Sequence, residues 1–196
     1  MSGIRRTLPA LSAALTALFL ASLAHAQTTG LGDVAGGRLD IAGIAPQGCV
    51  LSPPAETAIS NAALTAGPTA GQVRLTQFVD PQTAVPVAAN IGLDFSVICN
   101  AAHHLTVRTL QGGLVLTTPA PPPGPGLRNS VPYQVSVAWA GQQATGSSYT
   151  TMPVDIATAN GASGILSITI AVPGGGDPLV AGTYSDSLVV ELLPAN

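Results

Sequence analysis

The sequence from about residue 27 onward predicts an all-β fold, a sandwich built from short strands. No stretch in this region keeps apolar residues at the 3.6-residue spacing of an amphipathic helix. Several stretches instead alternate apolar and polar residues, the pattern of half-buried strands. Glycine and proline, 22 and 17 of the 196 residues, separate these stretches at short intervals, as turns do in sandwiches.

The first 26 residues predict a secretion signal that is removed from the mature protein. Arg5 and Arg6 supply positive charge, an apolar run covers 8–23, and Ala24-His25-Ala26 is a cleavage site of small residues before Gln27. The apolar run is short for a membrane span and contains Pro9. We therefore expect a chain that is exported through the inner membrane and released.

The charge of the mature chain argues against nucleic-acid binding. Its positive side chains are four arginines, it has no lysine, and it carries nine carboxylates, for a net charge of −5. The arginines are scattered singly along the sequence, whereas proteins that bind nucleic acid or anionic membranes cluster theirs. We expect neither kind of partner.

The two cysteines, Cys49 and Cys99, predict one disulfide, since an even pair in an exported chain reads as a bridge. Closing a loop of about fifty residues should stabilise the fold by roughly 4 kcal/mol on the chain-entropy estimate. A metal site is not expected, because two cysteines this far apart without nearby partner histidines do not form a ligand set.

The N-terminal part of the mature chain divides into two regions. Residues 27–37 are polar and glycine-rich and are interpreted as a flexible arm. The sandwich domain is expected over 38–196, and alternation begins at its start, with Leu39 and Ile41 opposite Asp40 and Ala42. The layout of 55–90 stays open: 72–79 suggests a strand, and 58–66 fits a short helix or a loop.

The central part contains the clearest strands. In 91–100 and 131–139 every second residue is apolar, and a third apolar strand covers 165–172. Leu105–Thr109 and Leu114–Leu116 flank Gly112-Gly113, which predicts a hairpin. The residues expected to face the core are Ile91, Leu93, Phe95, Val97, Cys99, Val131, Tyr133, Val135, Val137, Trp139, Leu166, Ile168, Ile170 and Val172.

The last predicted strand, 182–193, is the basis of our hypothesis about function. One of its faces carries Tyr184, Leu188, Val190 and Leu192, and Ser185, Ser187 and Glu191 lie on the other. Only three residues follow, so its free edge must be covered by an earlier segment, covered by another chain, or left open. An open apolar edge recruits other chains. We hypothesise that this recruitment is the function.

The mature sequence shows no recognisable set of catalytic residues. His103-His104 is the only histidine pair in the mature chain and is interpreted as part of a turn after Cys99. Ser163 lies in Gly161-Ala162-Ser163-Gly164, which lacks the Gly-x-Ser-x-Gly spacing of a nucleophile elbow. The carboxylates are scattered singly. We therefore expect a binding or structural protein, without catalytic residues, bound metal or cofactor, rather than an enzyme.

Three segments together resemble the spore coat protein U domain family. Val97-Ile98-Cys99-Asn100, followed by Leu105-Thr106-Val107 and the Gly112-Gly113 turn, is similar to that domain's second cysteine and glycine turn. The other two segments are similar to its central tyrosine-containing strand and its closing strand; they are Asn129-Ser130-Val131-Pro132-Tyr133-Gln134-Val135 and Ala181-Gly182-Thr183-Tyr184-Ser185-Asp186-Ser187-Leu188-Val189-Val190. With Cys49, the resemblance covers residues 38–193.

The resemblance implies an immunoglobulin-like, pilin-type sandwich that lacks its final strand. Members of the family include subunits of archaic chaperone-usher pili, fibres that support surface adhesion and biofilm formation. The resemblance implies a periplasmic chaperone, an outer-membrane usher and other pilus subunits as partners, and a final location at the cell surface. The strand of the next subunit would come from its N-terminal arm. In this chain that arm offers Leu31, Val34 and Ala35.

Two alternatives remain open. The family's other members imply a component of a spore coat or another extracellular coat. A carbohydrate-binding sandwich would need exposed aromatic side chains on one face. The candidates for such a face are Tyr133, Trp139, Tyr149 and Tyr184, most of which we expect to point inward.

Overall fold

The computed structural model describes residues 41–68, 70–118, 122–150 and 152–195. Residues 44–196 form one compact unit, and the second unit, 1–43, is described only at 41–43. The predicted signal peptide, the predicted arm 27–37 and the start of the predicted domain at Arg38 therefore lie outside the described residues. In the part of the chain that is described, no helix is long and apolar enough to cross a lipid bilayer.

The described residues confirm the prediction of an all-β sandwich. They contain fourteen strands and no helix. The strands are β1 (Cys49–Leu51), β2 (Ala55–Ser60), β3 (Ala62–Ala66), β4 (Gly71–Leu75), β5 (Ala89–Cys99), β6 (His103–Thr109), β7 (Leu114–Leu116), β8 (Ser130–Val131), β9 (Gln134–Trp139), β10 (Gln142–Ser147), β11 (Val154–Thr158), β12 (Ala162–Val172), β13 (Tyr184–Ser185) and β14 (Leu188–Pro194).

The first layer is an antiparallel sheet centred on two long strands. β5 and β12 pair over their whole length, from Cys99 opposite Ala162 to Ala89 opposite Val172. β9 and then β10 extend the sheet on one side. On the other side β1 and β2 follow one another along β5, with a bulge between Glu56 and Ala58. This arrangement leaves β10 at one edge and β1 with β2 at the other.

The second layer consists of shorter strands. β6 lies between β11 and β14, and β7 lies between β13 and β8. β13 and β14 are separated only by Asp186 and Ser187, so the C-terminal segment passes from one of these small sheets to the other.

The core lies between the layers and consists of the alternating residues that the sequence singles out. The inward residues predicted for β5, β9 and β12 are buried, except Ile170, which packs against the core while partly exposed. Leu105 and Val107 of β6 are 0% exposed. Full burial of each such aliphatic side chain contributes roughly 1.5–3 kcal/mol. The buried residues of β5, β9 and β12, together with Leu105 and Val107 of β6, therefore contribute most of the stability of the sandwich.

The region 58–66, for which the sequence left a short helix or a loop open, belongs to strands β2 and β3. Asn61 makes the turn between them in a left-handed conformation, with φ of 56°. Its side-chain amide donates to the carbonyls of Gln77 and Ala88, and its Oδ1 accepts from the backbone N–H of Gln77 and the hydroxyl of Thr76. These bonds hold the β3–β4 hairpin against the first sheet, because Ala88 directly precedes β5.

The predicted hairpin of β6 and β7 is wrong. β6 pairs with β11 and β14, whereas β7 pairs with β13 and β8. The connection is held by a third segment, since Gln111 and Gly113 both donate their backbone N–H to the carboxylate of Asp186. The two glycines therefore serve a change of sheet rather than a reversal within one sheet.

The candidate site: an open seam beside the terminal strand

β14 is paired on one side only among the described residues. Its ladder to β6 aligns Leu188 with Thr109, Val190 with Val107, and Leu192 with Leu105. The backbone N–H of Leu110 donates to Ser187, and that of Ala195 donates to Ala102. Hydrogen-bonded pairs alternate along an antiparallel ladder. The odd-numbered residues of β14 therefore direct their backbone groups to β6.

The even-numbered residues of β14 consequently direct their backbone groups away from β6. Those of Leu188, Val190 and Leu192 have no partner among the described residues. Pro194 continues this row and lacks an N–H altogether, which suits an edge position. β14 is therefore an edge strand within the described part of the chain. The predicted single strand 182–193 is corrected to two strands, β13 and β14, and Tyr184 lies in β13 rather than on this edge.

The same three side chains face the core but are incompletely covered. Leu188, Val190 and Leu192 pack against the core and are half-buried. Their cross-strand neighbours Val107 and Leu105 are fully buried. Since directly opposed residues point to the same face of a sheet, the difference in burial arises at the edge of the sandwich. Apolar surface therefore remains exposed along β14.

The facing edge of the first layer has a similar character. Cys49 and Leu51 of β1 lie opposite Cys99 and Val97, and the bonds from Asn100 to Gly48 and from Ser52 to Ser96 show that they are non-hydrogen-bonded positions. Their side chains point inward and their backbone groups point away from β5. Leu51 is 37% exposed despite this orientation.

The open seam is defined here as Cys49 and Leu51 of β1 together with Leu188, Val190 and Leu192 of β14. β1 begins beside Cys99, and β14 ends opposite His103, so the two strands run in opposite directions. Some of their Cα atoms approach within 8 Å, so an added strand has room only along the part of β14 that β1 does not flank, because adjacent strands are about 4.8 Å apart. β2 makes no comparable approach to β14. The seam is therefore narrowest at the disulfide end.

The disulfide closes that narrow end. Cys49 and Cys99 are bonded and face one another across β1 and β5, with a Cα–Cα distance of 4.1 Å. The predicted pairing is therefore present. It ties the first residue of the β1 edge to the central strand of the sheet.

The buried His103 lies next to the disulfide and is not a metal ligand as arranged. Cys49, Cys99 and His103 offer donor atoms within 4.8 Å of one another, but both sulfurs are used in the disulfide. The indole of Trp139 donates to Nε2 of His103 at 2.8 Å, and Nδ1 lies 2.9 Å from the carbonyl of Ala101. Nδ1 therefore carries the proton. The predicted turn at His103-His104 is corrected, since both residues belong to β6.

A cluster of hydrogen bonds around the carboxylate of Asp186 positions the start of β14. We call it the Asp186 cluster. Asp186 accepts hydrogen bonds from the backbone of Gln111, Gly113 and Ser187 and from the hydroxyl of Tyr133, at 3.0 Å. Burial, followed by the negative charge of Asp186 and the hydrogen bond to it, raises the pKa of Tyr133 far above its usual value. This role could not be predicted from the sequence, because the spacing of Asp186 and Tyr133 gives no sign that they meet.

Two shallow depressions lie elsewhere on the described surface. One, of about 250 Å³, lies between Tyr133 and Pro173, and another, of about 190 Å³, lies beside Trp139 and Gln142. Of the aromatic residues considered for carbohydrate binding, Tyr133 and Trp139 are buried and Tyr184 is half-buried against Phe78. Tyr149 alone among these four is exposed, at 78%.

The candidate donor residues Leu31, Val34 and Ala35 lie outside the described residues, so their role stays a prediction. Comparison of the chain with models of protein families, with curated proteins and with solved structures finds no match. The resemblance to the spore coat protein U domain therefore also stays a prediction.

Proposed function

We propose that the mature chain is a structural subunit of an extracellular fibre assembled by strand addition. In this proposal it is an exported, immunoglobulin-like sandwich that lacks its final strand, as in the pilin subunits of chaperone-usher pili. A strand from another molecule pairs with β14. The fibre, displayed at the cell surface, supports adhesion and biofilm formation.

One observation carries the proposal: Leu188, Val190 and Leu192 combine half-buried apolar side chains with backbone groups that no described residue pairs. A strand added along β14 meets both needs, since its backbone hydrogen-bonds to the edge and its apolar side chains complete the core. The Cys49–Cys99 disulfide is compatible with export. Before assembly the seam needs a temporary cover, which is the role of a periplasmic chaperone; an outer-membrane usher would then join the subunits.

The test uses the mature chain, residues 27–196, and a labelled synthetic peptide of residues 27–46. We expect the peptide to bind and to raise the melting temperature. Replacing Val190 by Pro removes an N–H that faces the open edge and leaves the bonds to β6 in place. The matched control is Val190→Ala, which also truncates the side chain but keeps the N–H. We expect Val190→Pro to abolish binding and Val190→Ala to weaken it several-fold.

Two results would contradict the proposal. The first is a mature chain that stays monomeric at high concentration and does not bind the peptide, because such a chain does not accept an added strand. Equal binding by Val190→Pro and Val190→Ala would place the peptide somewhere other than the edge of β14. The melting temperature of each free variant serves as the check that the sandwich has folded.

A further inference from the structure

The disulfide and the buried His103 bring three side chains that can bind a metal to one place. The Sγ atoms of Cys49 and Cys99 and a ring nitrogen of His103 lie within 4.8 Å of one another, the one such group among the described residues. His103 is 0% exposed and Cys99 is buried, while Cys49 on the outer side is half-buried. Thiolate and imidazole ligands together are typical of sites for Zn²⁺ and other thiophilic metal ions.

The two sulfurs become ligands only when the disulfide is reduced, because the thiolate is the form that binds a metal. Reduction takes up two electrons and two protons and leaves two thiols. These face one another across β1 and β5, on Cα atoms 4.1 Å apart. In a tetrahedral zinc site two sulfurs lie about 3.8 Å apart, since each Zn–S bond is about 2.3 Å long. Thiols on directly opposed residues reach that spacing by rotation about their Cα–Cβ bonds.

His103 is already oriented as a metal-binding histidine is. Its Nδ1 proton donates to the carbonyl of Ala101 at 2.9 Å, and a bond of this kind fixes the tautomer of histidines that bind metals. The lone pair is therefore on Nε2, where it accepts from the indole N–H of Trp139 at 2.8 Å. A metal at Nε2 takes the place of that N–H. Binding must therefore release the hydrogen bond of Trp139.

A buried hydroxyl without a partner lies beside His103. Thr158 of β11 is directly opposite His103 of β6, so the two side chains point to the same face of the sheet. The Oγ1 atom of Thr158 is buried and has no hydrogen-bond partner among the described residues, which is rare for a buried hydroxyl. Three protein ligands leave the fourth position of a tetrahedral zinc ion to water. A water in that position gives Oγ1 a partner.

We propose that the reduced chain binds one thiophilic metal ion, of the class of Zn²⁺, through Cys49, Cys99 and His103. Thr158 is the positioning residue for the metal-bound water. Metal binding releases the two thiol protons. The metal and the disulfide exclude one another: an external disulfide oxidises the two thiolates to the Cys49–Cys99 bond, takes up two protons to become two thiols, and the metal ion leaves.

The metal does in the reduced chain what the disulfide does in the oxidised one, since either of them ties β1 to β5. Through His103 the metal also ties both strands to β6 in the second layer. This inference is independent of the proposed function, because it does not involve the backbone of β14.

The experiment uses the mature chain, residues 27–196, reduced with a phosphine that is then removed in anaerobic buffer. The reduced chain is titrated with Co²⁺, a coloured substitute for Zn²⁺, and then with Zn²⁺. We expect one Co²⁺ per chain, a thiolate-to-cobalt charge-transfer absorption, and its loss when Zn²⁺ displaces Co²⁺. The fluorescence of Trp139 should change in step, because its N–H loses its acceptor. The oxidised chain should show neither signal.

Two substitutions test the ligand and the positioning residue. His103→Gln should weaken Zn²⁺ binding at least about tenfold. The matched control is His104→Gln, on the exposed face of the same strand, which should change binding less than about twofold. Thr158→Val keeps the shape of the side chain and should weaken binding several-fold. If reduction unfolds the chain, Zn²⁺ should restore the fluorescence of buried Trp139 in the wild type and in His104→Gln but not in His103→Gln, because a ligand of the folded state stabilises it.

Each contrary result has a defined consequence. Equal metal binding by the oxidised chain, no binding by the reduced chain, or equal affinities of His103→Gln and His104→Gln overturns the proposed site. A reduced, unfolded chain that Zn²⁺ does not refold overturns it as well. Wild-type affinity in Thr158→Val overturns the role of Thr158.

Discussion

Removing the hydroxyl of Tyr133 tests how strongly the Asp186 cluster holds β14 in place. Tyr133 is 5% exposed, and its hydroxyl donates to Oδ2 of Asp186 at 3.0 Å. A hydrogen bond to a charged group contributes about 1.5–3 kcal/mol. We expect Tyr133→Phe to lower the free energy of unfolding by about 2 kcal/mol, because Asp186 keeps its three backbone donors and only the phenol bond is lost.

Asp186→Ala should cost more, about 3–5 kcal/mol, since it leaves a buried phenol and three backbone N–H groups without their partner. In that background the hydroxyl of Tyr133 is already unsatisfied. Adding Tyr133→Phe should therefore be neutral or stabilising. The coupling free energy between the two substitutions is expected to be about 2 kcal/mol.

Urea unfolding followed by Trp139 fluorescence measures all four corners of the cycle, since this is the single tryptophan and it is 2% exposed. The control is Tyr149→Phe at the exposed tyrosine, which should change stability by less than about 0.5 kcal/mol. If Tyr133→Phe costs the same with and without Asp186, the cluster does not act as a unit and the reasoning fails.

Three further outcomes are expected. Cys49→Ser should lower the free energy of unfolding by about 2–5 kcal/mol, and wild-type stability in a reducing buffer would contradict this. The folded-state pKa of Tyr133 lies above its unfolded value near 10, so its contribution to the free energy of unfolding is intact below pH 10. Above pH 10 that contribution is lost by about 1.4 kcal/mol per pH unit. Between pH 9 and 11 the urea midpoint should therefore fall less steeply in Tyr133→Phe than in the wild type. Gly113→Ala should destabilise far more than Gly141→Ala, since a Cβ at Gly113 would lie 2.9 Å from the carbonyl of Val131 whereas the one at Gly141 meets nothing; similar melting temperatures would refute that contrast.

Alternation alone predicted the strands of the core, because a strand buried on one face repeats every two residues. Val135 and Val137 illustrate this, and both are buried as expected. The same alternation predicted that one face of the last strand packs against the core. The question of what covers its edge arose from that prediction. The disulfide was predicted from the even number of cysteines and from the predicted secretion signal.

Pairing partners and polar clusters could not be predicted in the same way. Nothing local distinguishes the change of sheet at Gly112-Gly113 from a hairpin, because the deciding contact comes from Asp186, more than seventy residues later. The strand at 55–60 was missed because its side chains are mostly exposed and Ala-rich. Nothing in the sequence around Asn61 indicates that its side chain binds the carbonyls of Gln77 and Ala88.

The two lateral edges of the sandwich differ in whether an added strand would find unpaired backbone groups and exposed apolar side chains. β10 and β11 meet at one edge, where the side chain of Gln142 donates to the carbonyl of Ala157 and most outward positions of β10 are polar. A strand arriving there would displace a hydrogen bond and bury little apolar surface. At the seam, a strand would displace no bond of the described residues and would cover Leu188, Val190 and Leu192. Among the described residues, edge protection is thus present where β10 and β11 meet and absent from β14.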